Sequence, residues 1–224
     1  MTDIIFLFGH RKGRGKDYSC DLMEEGLRKR SKTYMRTFFA KKLKKHCAER
    51  YNLDFDKMDL EDYKNSKPEH LNGLTVRDVL LKEGNFARSI WSNVWVSAAY
   101  NEILDGCHKV GLLSDYRFPN EYIAFPEIYK TWKEKWPHPP YWHPERVPKL
   151  VKVHVERKSG KYVNDGADDQ LPDDREFWDE VINNDVEGPG WEENLHNQVE
   201  NLLKKYIDNK QGIMTNDLSL HKTQ

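Results

Sequence analysis

Five consecutive apolar residues, Ile4-Ile5-Phe6-Leu7-Phe8, predict a strand buried on both faces. From Tyr18 to about Arg30 the period changes: Leu22, Met23 and Leu27 recur at helical spacing among charges, which predicts a helix. Tyr34 to Phe39 reads as a short strand and Ala40 to Tyr51 as a second helix. Asn52 to Gly73 is polar, acidic and contains proline, so it reads as a mobile excursion. Helical spacing resumes from Leu74 to Glu83 through Val76, Val79 and Leu80, and Gly84-Asn85 is expected to close that helix as a left-handed cap. A further helix is predicted from Arg88 to Leu104, with Ile90, Trp91, Val94, Trp95, Ala98 and Ile103 turned to the core. Val110 to Ser114 and Leu150 to Val155 read as buried strands, Val181-Ile182 as a short one, and Trp191 to Ile207 as the closing helix. Strands separated by helices imply an α/β fold: three layers, a parallel sheet with helices on both faces, and ligands at the carboxyl ends of the strands.

Phe125 to Pro148 breaks this rhythm, with Trp132, Trp136, Tyr141 and Trp142 set among six prolines. Such a stretch is not expected to continue a helix or a central strand. It reads as an insertion whose rings pack on the domain, extend a substrate wall or form an oligomer interface. After Asp208 the pattern loses its period, so the expectation is one domain over 1–208 and a flexible tail over 209–224.

Charge narrows the partners. A formal net charge of -1 leaves no global field to gather nucleic acid or anionic membrane, so anion binding must be local. With 33% charged residues and a mean hydropathy of -0.89, no segment approaches the roughly 20 apolar residues that span a bilayer. The amino terminus lacks the basic region and small-residue cleavage site of a signal peptide, which leads us to expect a soluble, cytoplasmic protein. Cys20, Cys47 and Cys107 fit no zinc or disulfide spacing and are expected as buried small hydrophobes.

The strongest chemical signal lies where the first strand breaks into Gly9-His10-Arg11-Lys12-Gly13-Arg14-Gly15-Lys16-Asp17. A buried strand, a glycine-rich turn and a Lys at a helix start is an arrangement that holds phosphate. Backbone N–H groups curve around the anion, the helix start adds positive dipole, and the Lys ammonium reaches the outer phosphates. Counted back from Gly15-Lys16, the usual G-x-x-x-x-G-K-[ST] pattern places His10 where the first Gly belongs. Either the loop is one residue longer, or His10 adopts a conformation costing roughly 1–2 kcal/mol. Asp17 replaces the hydroxyl residue that normally touches Mg²⁺, and its carboxylate is a candidate to hold that ion directly or through water. The competing reading is a basic loop without a ligand.

Other candidates stand at strand and helix ends. Asp115 follows an apolar strand, where an acid can orient Mg²⁺ or the attacking group, or simply cap a turn. Arg117 and Glu121 follow at spacings that bring all three to one rim, with a surface ion pair as the alternative. Arg77 and Arg88 bracket Gly84-Asn85, a turn that would bring two guanidiniums to one phosphate. Arg157, Lys158 and Lys161 form a basic segment after a strand, read either as a lid over ATP or as a solvated charge run.

Taken together, these segments resemble the bacteriophage deoxynucleoside monophosphate kinases. The resemblance runs through Gly9 to Asp17, Phe39-Ala40-Lys41-Lys42-Leu43-Lys44, Thr75-Val76-Arg77, Leu80-Leu81, Gly84-Asn85, Arg88 and Trp95-Val96. It continues in Ser114-Asp115-Tyr116-Arg117-Phe118-Pro119-Asn120-Glu121, the most specific block, and in Val181-Ile182-Asn183-Asn184-Asp185. The chain departs from that pattern at His10, at Tyr18, where Thr is common, and at Asp168, where a Glu is expected. The resemblance implies a P-loop NTPase fold of the nucleoside monophosphate kinase kind and ATP-dependent phosphorylation of a deoxynucleotide.

It further implies ATP contacts from Arg11, Gly13, Arg14, Gly15, Lys16, Asp17 and Tyr18. For the monophosphate it implies Lys12, Phe39, Ala40, Lys44, Arg77, Gly84, Asn85, Arg88, Trp95, Asp115, Arg117 and Glu121, with Glu121 fixing Arg117 or touching the sugar and Trp95 stacking near the base. Lys16, Arg117 and Asp115 are the expected catalytic group, with Asp17 and Asp115 shaping the water shell of Mg²⁺. ATP and a deoxynucleoside monophosphate are the expected partners, with a homodimer possible and no stable nucleic-acid binding. Two other readings stay open: a phosphomevalonate kinase of the animal type, similar in the Gly-Lys-Asp loop and the Asp-x-Arg strand end, and a nucleotide-dependent switch.

Overall fold

The computed structural model describes residues 1–9, 15–135, 147–157, 171–172, 174–185 and 190–209. In chain order these form β1 (Ile4–Gly9), α1 (Lys16–Lys29), β2 (Tyr34–Thr37), α2 (Lys41–Tyr51), α3 (Glu61–Asn65), α4 (Val76–Ile90), α5 (Val94–Asp105) and β3 (Val110–Tyr116). There follow α6 (Asn120–Ile123), α7 (Phe125–Lys135), β4 (Lys149–Glu156), β5 (Glu180–Asn183) and α8 (Trp191–Leu203). The five strands make one sheet in the order β2-β3-β1-β4-β5, and every pairing is parallel. The α/β expectation of a parallel sheet with helices on both faces holds.

Alternation along β1 decides what covers each face. Ile4, Phe6 and Phe8 pack with Cys20, Met23 and Leu27 of α1 and with Leu195, Val199, Leu202 and Leu203 of α8. Ile5 and Leu7 point the other way, to Val96, Ala99, Tyr100 and Ile103 of α5 and Phe125, Ile128, Tyr129 and Trp132 of α7. Each such burial contributes about 1.5–3 kcal/mol, so the uninterrupted apolar run is what makes β1 the central strand.

A third apolar cluster stands beside the sheet. Leu43 and Cys47 of α2 meet Val76 and Val79 of α4, and Leu53, Met58 and Leu71 come from the segment between them. Residues 52–73, polar overall, thus carry Met58 into a fully buried position and hold α3 and two short 3-10 turns. The start of α4 is fixed by a capping box: the Thr75 side chain accepts from the Asp78 backbone N–H, and the Asp78 carboxylate accepts from that of Thr75.

Several expected boundaries are corrected. Gly84-Asn85 ends nothing, since α4 runs on to Ile90 and neither residue has positive φ. Gly84 is there for close approach: a Cβ would lie 3.0 Å from Leu43 Cδ2. The chain breaks instead at Trp91–Asn93, so the single helix expected from Arg88 starts as the end of α4 and resumes as α5. Ile90 and Trp91, expected in the core, are 74% and 50% exposed because α4 extends past the elements that cover its first half. Phe125–Lys135, read as unable to form a helix, is α7; Pro126 sits in its first turn, where its missing N–H costs nothing. Trp132 is buried there and donates its indole N–H to Asp105 at 2.8 Å. The rest of that stretch, 136–146, lies outside the described residues, as does 210–224 of the tail. β2 stops at Thr37 rather than Phe39, α1 starts at Lys16 rather than Tyr18, and Cys107 is exposed, with φ 52°. Among the described residues no helix is long and apolar enough to cross a membrane.

One ion cluster ties α8 to α1. The Arg30 guanidinium donates to Glu200 at 2.7 Å, to Asp208 at 2.9 Å and to the Gly26 carbonyl at 3.2 Å. Bonding to Arg30 holds both carboxyls below their ordinary range. A depressed folded pKa stabilises above the unfolded value and is lost as pH falls through the folded one. We therefore expect Arg30→Ala to lower Tm by about 2–4 °C at pH 7, the equivalent of about 1 kcal/mol in a chain of this size, and the difference from wild type to shrink below about pH 4. Thermal unfolding at pH 7 and pH 3 measures both.

Candidate active site

Because all five strands run the same way, their carboxyl ends share one edge. At β1 the strand order reverses, with β3 and β2 on one side and β4 and β5 on the other, which opens a crevice at that edge. Gly9, Gly15-Lys16, Phe39-Ala40, Asp115-Arg117, Arg157 and Asn184 all belong to segments that end or begin there.

The phosphate-loop signal divides at the described residues. Gly9 is a strand residue paired with Tyr116 and His154, and Trp178 fills the space a Cβ would need, at 2.4 Å. Gly15 is the residue before α1, with φ 90°, and a Cβ there would come within 2.1 Å of Asn184 Nδ2. Only glycine satisfies both the backbone angle and the contact. Among the described residues no side chain caps α1, and its first-turn N–H groups form the positive end of the helix. Lys16 is 8% exposed. Tyr18, one half-turn on, lays its ring 5.9 Å from that of Trp191, the first residue of α8. His10, Arg11, Lys12, Gly13 and Arg14 lie outside the described residues, as do Lys158, Lys161 and Asp168.

Across the crevice, β3 does something its sequence does not announce. Leu7 pairs with Leu113 but Gly9 with Tyr116, so β3 takes three steps where β1 takes two. The resulting bulge falls on Ser114-Asp115 and re-aims Asp115 sideways, toward the end of β2. Its Oδ1 accepts the Phe39 N–H at 2.7 Å and its Oδ2 the Ala40 N–H at 3.2 Å. Burial pushes the Asp115 carboxyl up, the two amides oppose this, and the charges of Arg117 and Lys44 oppose it further. Two cations from different elements, one on α2 and one after β3, thus act electrostatically on the same carboxylate.

Glu121, at the start of α6, is 5% exposed and accepts the backbone N–H groups of Arg117 at 2.7 Å and Phe118 at 3.0 Å on Oε2. Burial, and then the charge of Asp115, raise its carboxyl well above the ordinary range. Its function in the fold is to shape the backbone that carries Arg117, and the buried Tyr100 hydroxyl donates to the Glu121 carbonyl from α5.

The remaining candidates separate. Arg77 and Arg88 lie on one unbroken helix, eleven residues or about 16 Å apart along its axis, so they do not meet at one phosphate. Arg77 pairs with Glu61 at 2.6 Å and Arg88 donates to Asn85 at 2.8 Å. Lys44 pairs with Asp59 and lies 4.7 Å from the centre of the Phe38 ring. Trp95 is packed against the third cluster and donates to the Gly84 carbonyl at 3.4 Å. Arg157, at the end of β4, has a buried Nε without a hydrogen-bond partner among the described residues.

Two residues at this edge gave little or no sequence signal for their roles. Arg36 on β2 gathers Asp17 at 2.9 Å, Asp21 at 2.5 Å and Glu24 at 3.3 Å. Asn184, matched only within a block of resemblance, proves to be the side chain packed on Gly15. A single Arg on a short strand carries no pattern, and an Asn after a strand reads as a turn.

No protein-family model and no curated protein matches the chain. Among solved structures, two of the APS kinase CysC of Mycobacterium tuberculosis are similar. One, a point variant, is 11% identical with a TM-score of 0.40 over 91% of this chain and 99% of that one. The other, in complex with AMPPNP and APS, is 9% identical with a TM-score of 0.42 over 91% and 96%. An unliganded sugar kinase from Janibacter sp. is 12% identical with a TM-score of 0.38 over 96% and 99%. At these values the likeness is one of coarse outline.

Proposed function

We propose that this protein is a kinase that moves the γ-phosphoryl of ATP to the 5′-phosphate of a deoxynucleoside monophosphate. The observation that carries the reading is the placement of cations at one sheet edge: buried Lys16 at the start of α1, Arg117 at the exit of β3 and Lys44 on α2, the last two acting electrostatically on Asp115. Both reactants are anionic, so bringing them together is the main obstacle, and a loose transition state spreads more negative charge over the equatorial oxygens. Fixed positive charge in a partly dry crevice answers both problems.

In this reading Lys16 and the first N–H groups of α1 hold the donor phosphates, with Arg157 closing on them from β4. Arg117, its backbone held by Glu121, and Lys44 hold the acceptor phosphate once Lys44 exchanges Asp59 for it. Arg88 with Asn85 is the remaining polar pair on the acceptor side, and Trp95 supports α4 from below instead of meeting a base.

Mg²⁺ accompanies ATP in such chemistry, and Asp17 and Asp115 are the carboxylates that would steer it, through water. Asp17 is paired with Arg36, and both oxygens of Asp115 accept backbone amides. The roles above are those of the chain's own cations and amides.

The test is ADP release from ATP across deoxynucleoside and ribonucleoside monophosphates, with phosphomevalonate included. We expect at least one deoxynucleoside monophosphate to drive turnover on the order of 1–100 s⁻¹, as kinases do. Turnover with phosphomevalonate alone would move the acceptor to an isoprenoid phosphate. ATP binding without any ADP release would make the protein a switch.

A further inference from the structure

We propose that Asp115 is a positioning residue for the acceptor side of the crevice: by holding the backbone N–H groups of Phe39 and Ala40 it fixes the turn that opens α2, and with it Lys44. In what it says of the acceptor, the proposal rests on the reading above.

The geometry argues this in three steps. First, the bulge in β3 turns Asp115 toward β2 instead of leaving it over the crevice floor, and each of its oxygens takes one amide of a segment 75 residues away or more. Second, α2 has no cap of its own. The residue before it is Ala40, with φ -78° and ψ -3° and no side chain able to accept, so beyond the turn's own bond from the Lys41 N–H to the Phe38 carbonyl at 3.1 Å, the Phe39 and Ala40 amides are held from outside, by Asp115. Third, α2 carries Leu43 and Cys47 into the third cluster, which is separate from the two that cover the sheet. Asp115 therefore joins the sheet edge to that helical unit. A second polar tie lies beside it in the chain, where Glu102 of α5 accepts from the Lys41 ammonium at 2.6 Å and from the Thr37 hydroxyl at 2.8 Å.

A carboxylate used this way leaves a signature that a metal-steering or proton-accepting one does not. In wild-type protein the Phe39 and Ala40 amides, though in a turn, are expected to exchange with solvent within about tenfold of the β3 amides. Asp115→Asn keeps one acceptor oxygen and turns an NH₂ toward the other N–H. It is expected to speed exchange at these two amides at least about tenfold while β1 and β3 are unchanged. In turnover with ATP and dTMP or dGMP, the variant is expected to raise KM for the monophosphate about tenfold and to leave the Mg²⁺ concentration for half-maximal rate unchanged.

Open-turn exchange rates at Phe39 and Ala40 in the wild type would overturn the proposal without any variant. So would an Asp115→Asn enzyme that needs about tenfold more Mg²⁺ while its KM for the monophosphate is intact. If the wild type phosphorylates no monophosphate, the kinase reading fails, and the exchange rates still decide whether Asp115 holds the turn.

Discussion

Lys16→Ala is expected to lower ADP formation from ATP at least about a hundredfold while the protein stays folded. A hundredfold is about 2.7 kcal/mol of transition-state stabilisation. An ammonium at the mouth of a crevice can supply that much only if it is held close to the phosphates and shielded from water. Lys16 is shielded as that requires: it opens α1, is 8% exposed, and follows Gly15, which has a left-handed backbone and packs against Asn184. An exposed ion pair, at about 0–1 kcal/mol, would give a rate change of only a few fold. Stability should fall little, because Cys20, Met23 and Leu27 anchor α1 to the sheet independently of Lys16. Steady-state ADP release with matched far-ultraviolet circular dichroism separates the outcomes, and near-normal turnover would remove Lys16 from the phosphate site.

Arg117→Ala is expected to cost as much or more, since a guanidinium placed on a transferring phosphoryl can be worth 10³–10⁵ in rate. The protein fixes where this residue lies: Glu121 grips its backbone N–H and that of Phe118, and the bulge in β3 sets the exit of the strand. Alanine leaves both backbone bonds in place, so the prediction concerns chemistry and not folding. We expect kcat to fall at least about a hundredfold, with KM for ATP changed by less than about threefold, since in the proposed reading Lys16 and α1 hold the donor. A loss confined to KM for ATP would place Arg117 on the donor side instead. Arg117→Lys should restore only a small part, as an ammonium does not reproduce the bidentate fork.

Much of this site was legible before any fold was known. Gly15-Lys16 at a strand-to-helix turn announced itself because phosphate binding needs that local chain path, and Asp115-Arg117-Glu121 because a strand end with charged residues at short spacing can reach only one rim. The partners of those residues were not legible. Gly84-Asn85 looked like a helix end, yet the same lack of a Cβ lets Leu43 approach α4. Ile90 and Trp91 had core spacing, yet the helix outruns its cover. Pro126 looked like a breaker and opens α7, since proline is harmless in a first turn. In each case one local signal fits two physical uses, and only neighbours distant in sequence choose between them.

The sequence by itself determined the layers and the direction of the sheet, because the run from Ile4 to Phe8 must be buried on both faces and helical stripes must follow each strand to cover them. It also determined that a cationic, glycine-rich segment follows the first strand. Tertiary structure alone decided that Asp115 serves the backbone of Phe39 and Ala40, that Arg36 holds Asp17, and that Arg77 and Arg88 lie too far apart to share an anion. The physical reason is range: strand and helix patterns follow from contacts a few residues apart, whereas a carboxylate's partner depends on a one-residue bulge and on which amides the neighbouring strand happens to leave unpaired.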